Sequence, residues 1–185
     1  MIGGELMRDE LKNWSKMLLD FRLPRWEELP DFELYSDQVV QLVNGYLHLI
    51  EEVEKDVLTA SMINNYVKQK MIPKPEKKKY QKAHLAYLIA IGLLKKVLTI
   101  TQVNDGIRYQ SDVSGLIGAY NLFCTEVERA LKNVAVQIHK RDNQNEIAVT
   151  TESQALYFAA NAFAHKLIAN KIVNLNNQRM EKSDE

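Results

Sequence analysis

Met62, Ile63, Tyr66 and Val67 share the apolar side of one short helical segment, which leaves Ser61, Asn64, Asn65 and Lys68 turned outward. Those four residue types suit a nucleic-acid duplex. Asn pairs with adenine in the major groove, and Ser and Lys reach phosphates or base edges. Directly after this segment come Lys74, Lys77, Lys78 and Lys79, on a stretch stiffened by Pro73 and Pro75 and closed by Tyr80. Prolines lower the entropy cost of presenting those charges in one place. Clustered lysines in turn gain affinity for a polyanion by releasing its counterions. A charge run alone is usually a solvated face, so these lysines carry weight through the order of elements around them.

Other chemistries find little purchase. His48, His84, His139 and His165 are scattered over four segments, with no paired spacing of the kind that binds a metal. Glu126 and Glu128 flank Val127 and point to different sides of a helix. Cys124, the single cysteine, sits on an apolar stripe beside Phe123, where a buried and inert thiol is expected. No Gly-rich phosphate loop, nucleophile elbow or triad pattern is present. The expectation is a protein without enzymatic activity, cofactor or metal.

The 185 residues carry 24 basic and 24 acidic side chains, a formal charge of zero. The charge is not evenly spread. Nine acids and one lysine lie between Glu27 and Asp56, whereas nine lysines and one acid (Glu76) lie between Thr59 and Lys96. A polyanion meets that local field and not the total. A single cysteine excludes an internal disulfide and fits a reducing compartment. The start of the chain, MIGGELMRDELKNW, is too charged for a secretory segment. The longest apolar stretch, Ala83 to Leu94, is well short of the roughly 20 residues that cross a bilayer. A cytoplasmic, soluble protein with no membrane partner is expected.

The elements that must position these residues read as helical almost throughout. Leu6, Leu11, Trp14, Leu18 and Phe21 predict a first helix that stops before Leu23-Pro24. An ordered connector follows, with Trp26 and Phe32 expected to pin it to the core. Ser36 is the expected cap of a helix whose apolar face runs from Val39 to Val53, with Gly45 inside it. Thr59 caps the segment described above, which must end by Met71 because Pro73 and Pro75 follow. A further helix is predicted from about Gln81 to Leu98, and Thr99 starts another. Asn104-Asp105-Gly106 reads as a turn and a domain boundary. Beyond it, Val113, Leu116, Ile117, Tyr120, Phe123, Val127, Leu131, Val134 and Ile138 form one stripe. Leu156, Ala160, Phe163, Leu167, Ile168 and Ile172 form a second. The tail after about Asn176 is expected to fray.

In that order of elements, residues 59–103 resemble the DNA-binding region of MerR-type regulators. Thr59 falls at the capping Ser/Thr of that family, Tyr66 at a tyrosine of its recognition helix, and Met71-Ile72-Pro73 at the exit step. Tyr80 corresponds to the aromatic that closes the wing. Leu85, Leu88 and Ile89 lie on the next helix, and Thr99-Ile100-Thr101-Gln102-Val103 corresponds to its successor. The chain departs from the pattern in lacking an Arg near Asn64 and a Gly near Lys70. Its wing is several residues shorter, and Gly45 to Leu58 would be an insertion between the first two helices. The whole chain also resembles a Firmicute family described as domain of unknown function 1836, through Leu34–Val39 and Met62–Tyr80. That second resemblance brings no activity with it.

The resemblance implies an all-α protein with a MerR-like winged helix-turn-helix and a short basic wing, flanked by an N-terminal helix and a C-terminal helical pair. Four regions follow: an N-terminal helix and connector (1–34), the winged module (35–107), a dimerisation or effector region (108–175) and the tail (176–185). The implied function is that of a DNA-binding transcriptional regulator, working on double-stranded DNA as a homodimer, with an effector of unknown identity. Ser61, Asn64, Asn65, Lys68, Lys74, Lys77, Lys78, Lys79 and Tyr80 are its expected DNA contacts. Phe123, Tyr157, Phe158 and Phe163 are candidates for a dimer interface or ligand pocket, against the plainer alternative of ordinary helix packing. The alternative for the whole chain is a helical protein-interaction module that keeps the winged fold without DNA.

Overall fold

The structure, a computed structural model, describes residues 15–48 and 57–140 together with Asn13, Ala162 and His165. Its longer helices among the described residues are α1 (Ser36–Tyr46), α2 (Ala60–Lys68), α3 (Lys82–Leu94) and α4 (Ile100–Lys140). The fold is mainly helical, and among the described residues the only extended pairings are two isolated bridges, Leu34 with Tyr80 and Glu76 with Lys79. One continuous apolar core runs from Leu18 to Ala135.

The central element is α3, whose Leu85, Leu88, Ile89 and Ile91 are fully buried on several faces. A helix that is apolar all round belongs in the middle of a fold, and the others pack around it. Gly92 makes part of that possible. A Cβ there would stand 3.2 Å from Leu47 and 3.3 Å from Val57, tighter than an ordinary contact, so glycine lets these side chains sit close without a shift. α3 ends at Leu94, earlier than the pattern predicts, and residues 95–97 turn the chain toward α4.

Helix starts follow local hydrogen bonding. Thr59 caps α2 as expected, its Oγ1 accepting from Met62 N at 3.2 Å. Thr99 and Gln102 cap α4 reciprocally: Gln102 N donates to Thr99 Oγ1 and Thr99 N to Gln102 Oε1, at 3.3 and 3.0 Å. At α1 the cap lies one residue earlier than expected. Tyr35 is the N-cap, its N–H donating to Gln38 Oε1 at 2.9 Å, and Ser36 is already helical. α1 ends just past Gly45, at Tyr46, and the expected apolar positions Ile50 and Val53 lie outside the described residues.

Two expectations about α4 are corrected. No turn forms at Asn104-Asp105-Gly106, because the helix started by Thr99 runs through it with Val103 buried and Ile107 packed on the core. The break comes instead at Gly115, where φ is 69° and ψ 163°, a conformation reserved almost wholly for glycine. This break changes which side of the helix faces inward. Val113 is 64% exposed and Ile117 and Val134 are also exposed, while Tyr120, Cys124 and Ala135 are buried. The second stripe, with Tyr157, Phe158 and Phe163, falls outside the described residues.

The connector lies against the second half of α4. Phe32, expected as an anchor, is 66% exposed; Leu23, Leu29 and Leu34 are buried in its place. Trp26 does anchor, its ring edge-on to Tyr120 at 6.4 Å. Polar contacts fix the register. Arg25 forks onto Glu128 at 2.6 and 2.7 Å, and Leu23 N donates to the same carboxylate at 2.9 Å. Trp26 N donates to Asn121 Oδ1 and the Tyr120 hydroxyl to Pro24 O, both at 2.9 Å. Before the connector, residues 15–20 are helical, with Leu18 and Phe21 buried and Ser15 Oγ 3.2 Å from His139 Nε2. The predicted beginning of this helix, from Leu6, lies outside the described residues.

Candidate nucleic-acid interface

α2 presents two sides of different chemistry. Ile63 and Tyr66 are buried and Met62 and Val67 pack on the core, while Ser61, Asn64, Asn65 and Lys68 are all exposed. Its foot is tied to α1 and α3. Asn44 Nδ2 donates to Leu58 O at 3.0 Å, and Lys95 Nζ to Val57 O at 2.6 Å. The exposed polar side of α2 therefore stands on a fixed base.

The exit from α2 is a Schellman motif. Met71 N donates to Tyr66 O at 2.9 Å and Lys70 N to Val67 O at 3.1 Å, with Lys70 in the left-handed region at φ 57°. Met71 buries itself close behind, as the motif requires. Glycine is the usual residue at such a position, and MerR-type proteins have one near it. Here an exposed lysine takes its place, adding a charge that the sequence reading did not count among the site residues.

Buried Ile72 and proline 73 then deliver the chain to a tight turn. Lys79 N donates to Glu76 O at 2.8 Å, and the two central residues, Lys77 and Lys78, have φ of 46° and 63°. Positive φ at both positions marks a mirror-image turn, the kind that normally takes Asn-Gly. Each lysine in that conformation costs about 1–2 kcal/mol. The turn thus places two exposed lysine side chains at the tip of a short protrusion, with exposed Lys74 at its base. Where a short wing was expected, the chain forms this single turn.

The remaining predicted site residues divide. Lys79 is half-buried and donates to Glu33 Oε2 at 2.8 Å, which raises its pKa above the usual lysine value. Lys82 approaches Asp31 at 3.7 Å. Tyr80 is 4% exposed, so it is a structural residue and not a contact. It pairs backbone to backbone with Leu34 at 2.8 and 2.9 Å and stands edge-on to the His84 ring at 5.4 Å. The sequence reading missed His84. Buried, it accepts at Nδ1 from Gln81 N at 2.9 Å, acting as the third-residue partner of the α3 cap. Burial holds its pKa below the ordinary histidine value. The spacing Gln81-x-x-His84 was the available signal, since a capping box tolerates any acceptor at that position.

What the arrangement can do is limited and specific. Ser61, Asn64, Asn65, Lys68, Lys70, Lys74, Lys77 and Lys78 are exposed on consecutive elements, with hydrogen-bond donors suited to phosphate and base edges. Among the described residues, no group of three or more His, Cys, Asp or Glu side chains is placed to hold a metal ion. Burial pushes the Cys124 thiol up, away from the reactive thiolate. Glu128 is engaged by Arg25, which holds its carboxyl below the usual carboxylate range. Among the described residues no helix is long and apolar enough to cross a membrane.

The family model for a domain of unknown function, DUF1836, matches residues 24–123. The chain belongs to the DUF1836 family. No curated protein and no solved structure matches it significantly. The DUF1836 match begins at Pro24, within the connector, and ends at Phe123 on the second half of α4. It therefore takes in the whole polar-and-basic surface of α2 and the turn, and also the Pro24–Tyr120 and Trp26–Asn121 contacts that hold the connector down.

Proposed function

We propose that this DUF1836 protein is a DNA-binding transcriptional regulator built on a MerR-like winged helix-turn-helix. α2 serves as its recognition helix and the Glu76–Lys79 turn as a shortened wing. The observation that carries the reading is the pair Lys77 and Lys78, held exposed in left-handed backbone at a turn tip beside the outward polar side of α2. Left-handed lysines are kept at a cost, and such strain concentrates where a protein contacts its ligand. Ser61, Asn64, Asn65 and Lys68 address base edges, while Lys70, Lys74, Lys77 and Lys78 hold phosphates. A homodimer would offer two recognition helices to two half-sites about one helical turn apart.

The test is fluorescence anisotropy on random duplex DNA at 50 and 200 mM salt. About four phosphate contacts, one each from Lys70, Lys74, Lys77 and Lys78, predict a loss of affinity on the order of a hundredfold across that range. The Lys77→Glu/Lys78→Glu variant should remain folded and lose binding. A variant that binds as wild type does would sink the assignment.

A second reading has its own support. Lys79 and Lys82 already take carboxylates, from Glu33 and Asp31, so this basic surface accepts acidic side chains as well as phosphates. On that basis the surface docks an acidic protein segment. No DNA affinity even at low salt, together with a stoichiometric protein partner in pull-down, selects this reading over the first.

A further inference from the structure

The break at Gly115 folds the two halves of α4 around one side of α3 and leaves a half-open apolar cavity of about 260 Å³ between them. Its walls come from all three pieces: Ala86, Tyr87, Ala90 and Leu94 on α3, and both flanks of the break on α4. The space exists because several wall positions carry a methyl group or less, namely Ala86, Ala90, Gly106 and Ala119. Gly106 is the telling one. It lies inside a helix, where glycine is disfavoured relative to alanine. A Cβ built there meets no atom within 4 Å, so packing does not demand a glycine.

Ser111 stands on the wall, but its Oγ is buried beneath the surface and out of reach of a guest, so the face the cavity offers is almost wholly apolar.

We propose that this cavity is a binding site for a small, neutral, apolar molecule. For scale, a dry cavity of about 150 Å³ lined by aliphatic side chains and Phe accepts benzene. A two-ring aromatic or an acyl chain of similar bulk suits the larger space. No residue of the lysine-bearing turn lines the cavity, and the proposal does not depend on the DNA reading.

The full chain is titrated with N-phenyl-1-naphthylamine in the absence of DNA, reading the fluorescence gain on burial. One saturable site per chain is expected. Gly106→Met, which projects a side chain into the space and improves helix propensity, should raise the thermal midpoint by roughly 2–4 °C. It should also weaken the probe at least tenfold. Ala90→Leu gives a second filling variant. Neutral 2-methylnaphthalene should displace the probe at least tenfold more tightly than anionic 2-naphthoate does. No fluorescence gain in wild type, equal gain in the stable Gly106→Met variant, or one probe per two chains would each overturn the site. Equal displacement by the two naphthalenes would overturn the assignment of a neutral, apolar guest.

Discussion

Leu34 and Tyr80 exchange both backbone hydrogen bonds, at 2.9 and 2.8 Å, and both side chains are buried. This pair ties the lysine-bearing turn to the connector. The connector is in turn fixed to α4 by the Arg25 fork on Glu128. The turn's position therefore depends on contacts made at the opposite end of the connector.

Lys77 and Lys78 occupy a turn better suited to Asn-Gly. Lys77→Asn/Lys78→Gly should stabilise the protein by about 1–2 kcal/mol in urea denaturation, the relief of two left-handed penalties less the unfolded-chain entropy that glycine adds. Lys77→Gln/Lys78→Gln removes the same charges but keeps the backbone cost. It should leave stability near wild type. If DNA is the partner and charge is what matters, both should weaken binding equally, so the pair separates strain from electrostatics.

Arg25→Ala breaks a partly buried, bidentate pair and should cost about 1–3 kcal/mol. Glu128 has its pKa held below the carboxylate value of 4.5, first of all by its hydrogen bond from Arg25. A depressed carboxylate contributes stability above the unfolded value, and that contribution is lost as pH falls through the folded one. Wild type should thus lose stability below about pH 4.5 more steeply than Arg25→Ala does. Denaturation midpoints at pH 7, 5 and 3 test this, and parallel curves would count against the pair.

His84 predicts a second pH window. Burial lowers its pKa from 6.5, so the unfolded chain takes up the proton before the folded one does. Stability from this group is full above pH 6.5 and declines as pH drops below it, by up to about 1.4 kcal/mol per pH unit. His84→Gln keeps an acceptor for Gln81 N and cannot titrate. Its stability should be flat between pH 6.5 and 5.5 where wild type declines.

Glu33 competes with any external anion for Lys79. If DNA is the partner, Glu33→Gln should free that lysine and strengthen binding several-fold at low salt. The salt dependence should steepen by about one phosphate contact. An unchanged slope would mean that Lys79 serves only to hold the turn against the connector.

The polar side of α2 was legible from residue types alone, because exposure on a short helix follows directly from where Ile63 and Tyr66 must go. The lysine turn was legible as charge but not as conformation. Nothing in Lys77-Lys78 signals left-handed backbone, since the residues that favour it are glycine and asparagine. The role of Tyr80 was misjudged for a related reason. An aromatic next to a basic run looks like a contact until the chain that covers it is known.

By itself the sequence determined what depends on neighbours in the chain. Thr59 and the Thr99–Gln102 pair start helices, the prolines at 73 and 75 end α2's reach, and the apolar repeat fixes which sides turn inward. These are hydrogen bonds and periodicities within a few residues, and they form with little help from elsewhere. Tertiary structure decided which lysines stay free, with Lys77 and Lys78 exposed and Lys79 bound to Glu33. It also decided that Glu128 serves Arg25 and that Gly115, not Asn104-Asp105-Gly106, breaks the last long helix. Burial and ion pairing between distant residues depend on which surfaces the packed core brings together, and local sequence does not carry that information.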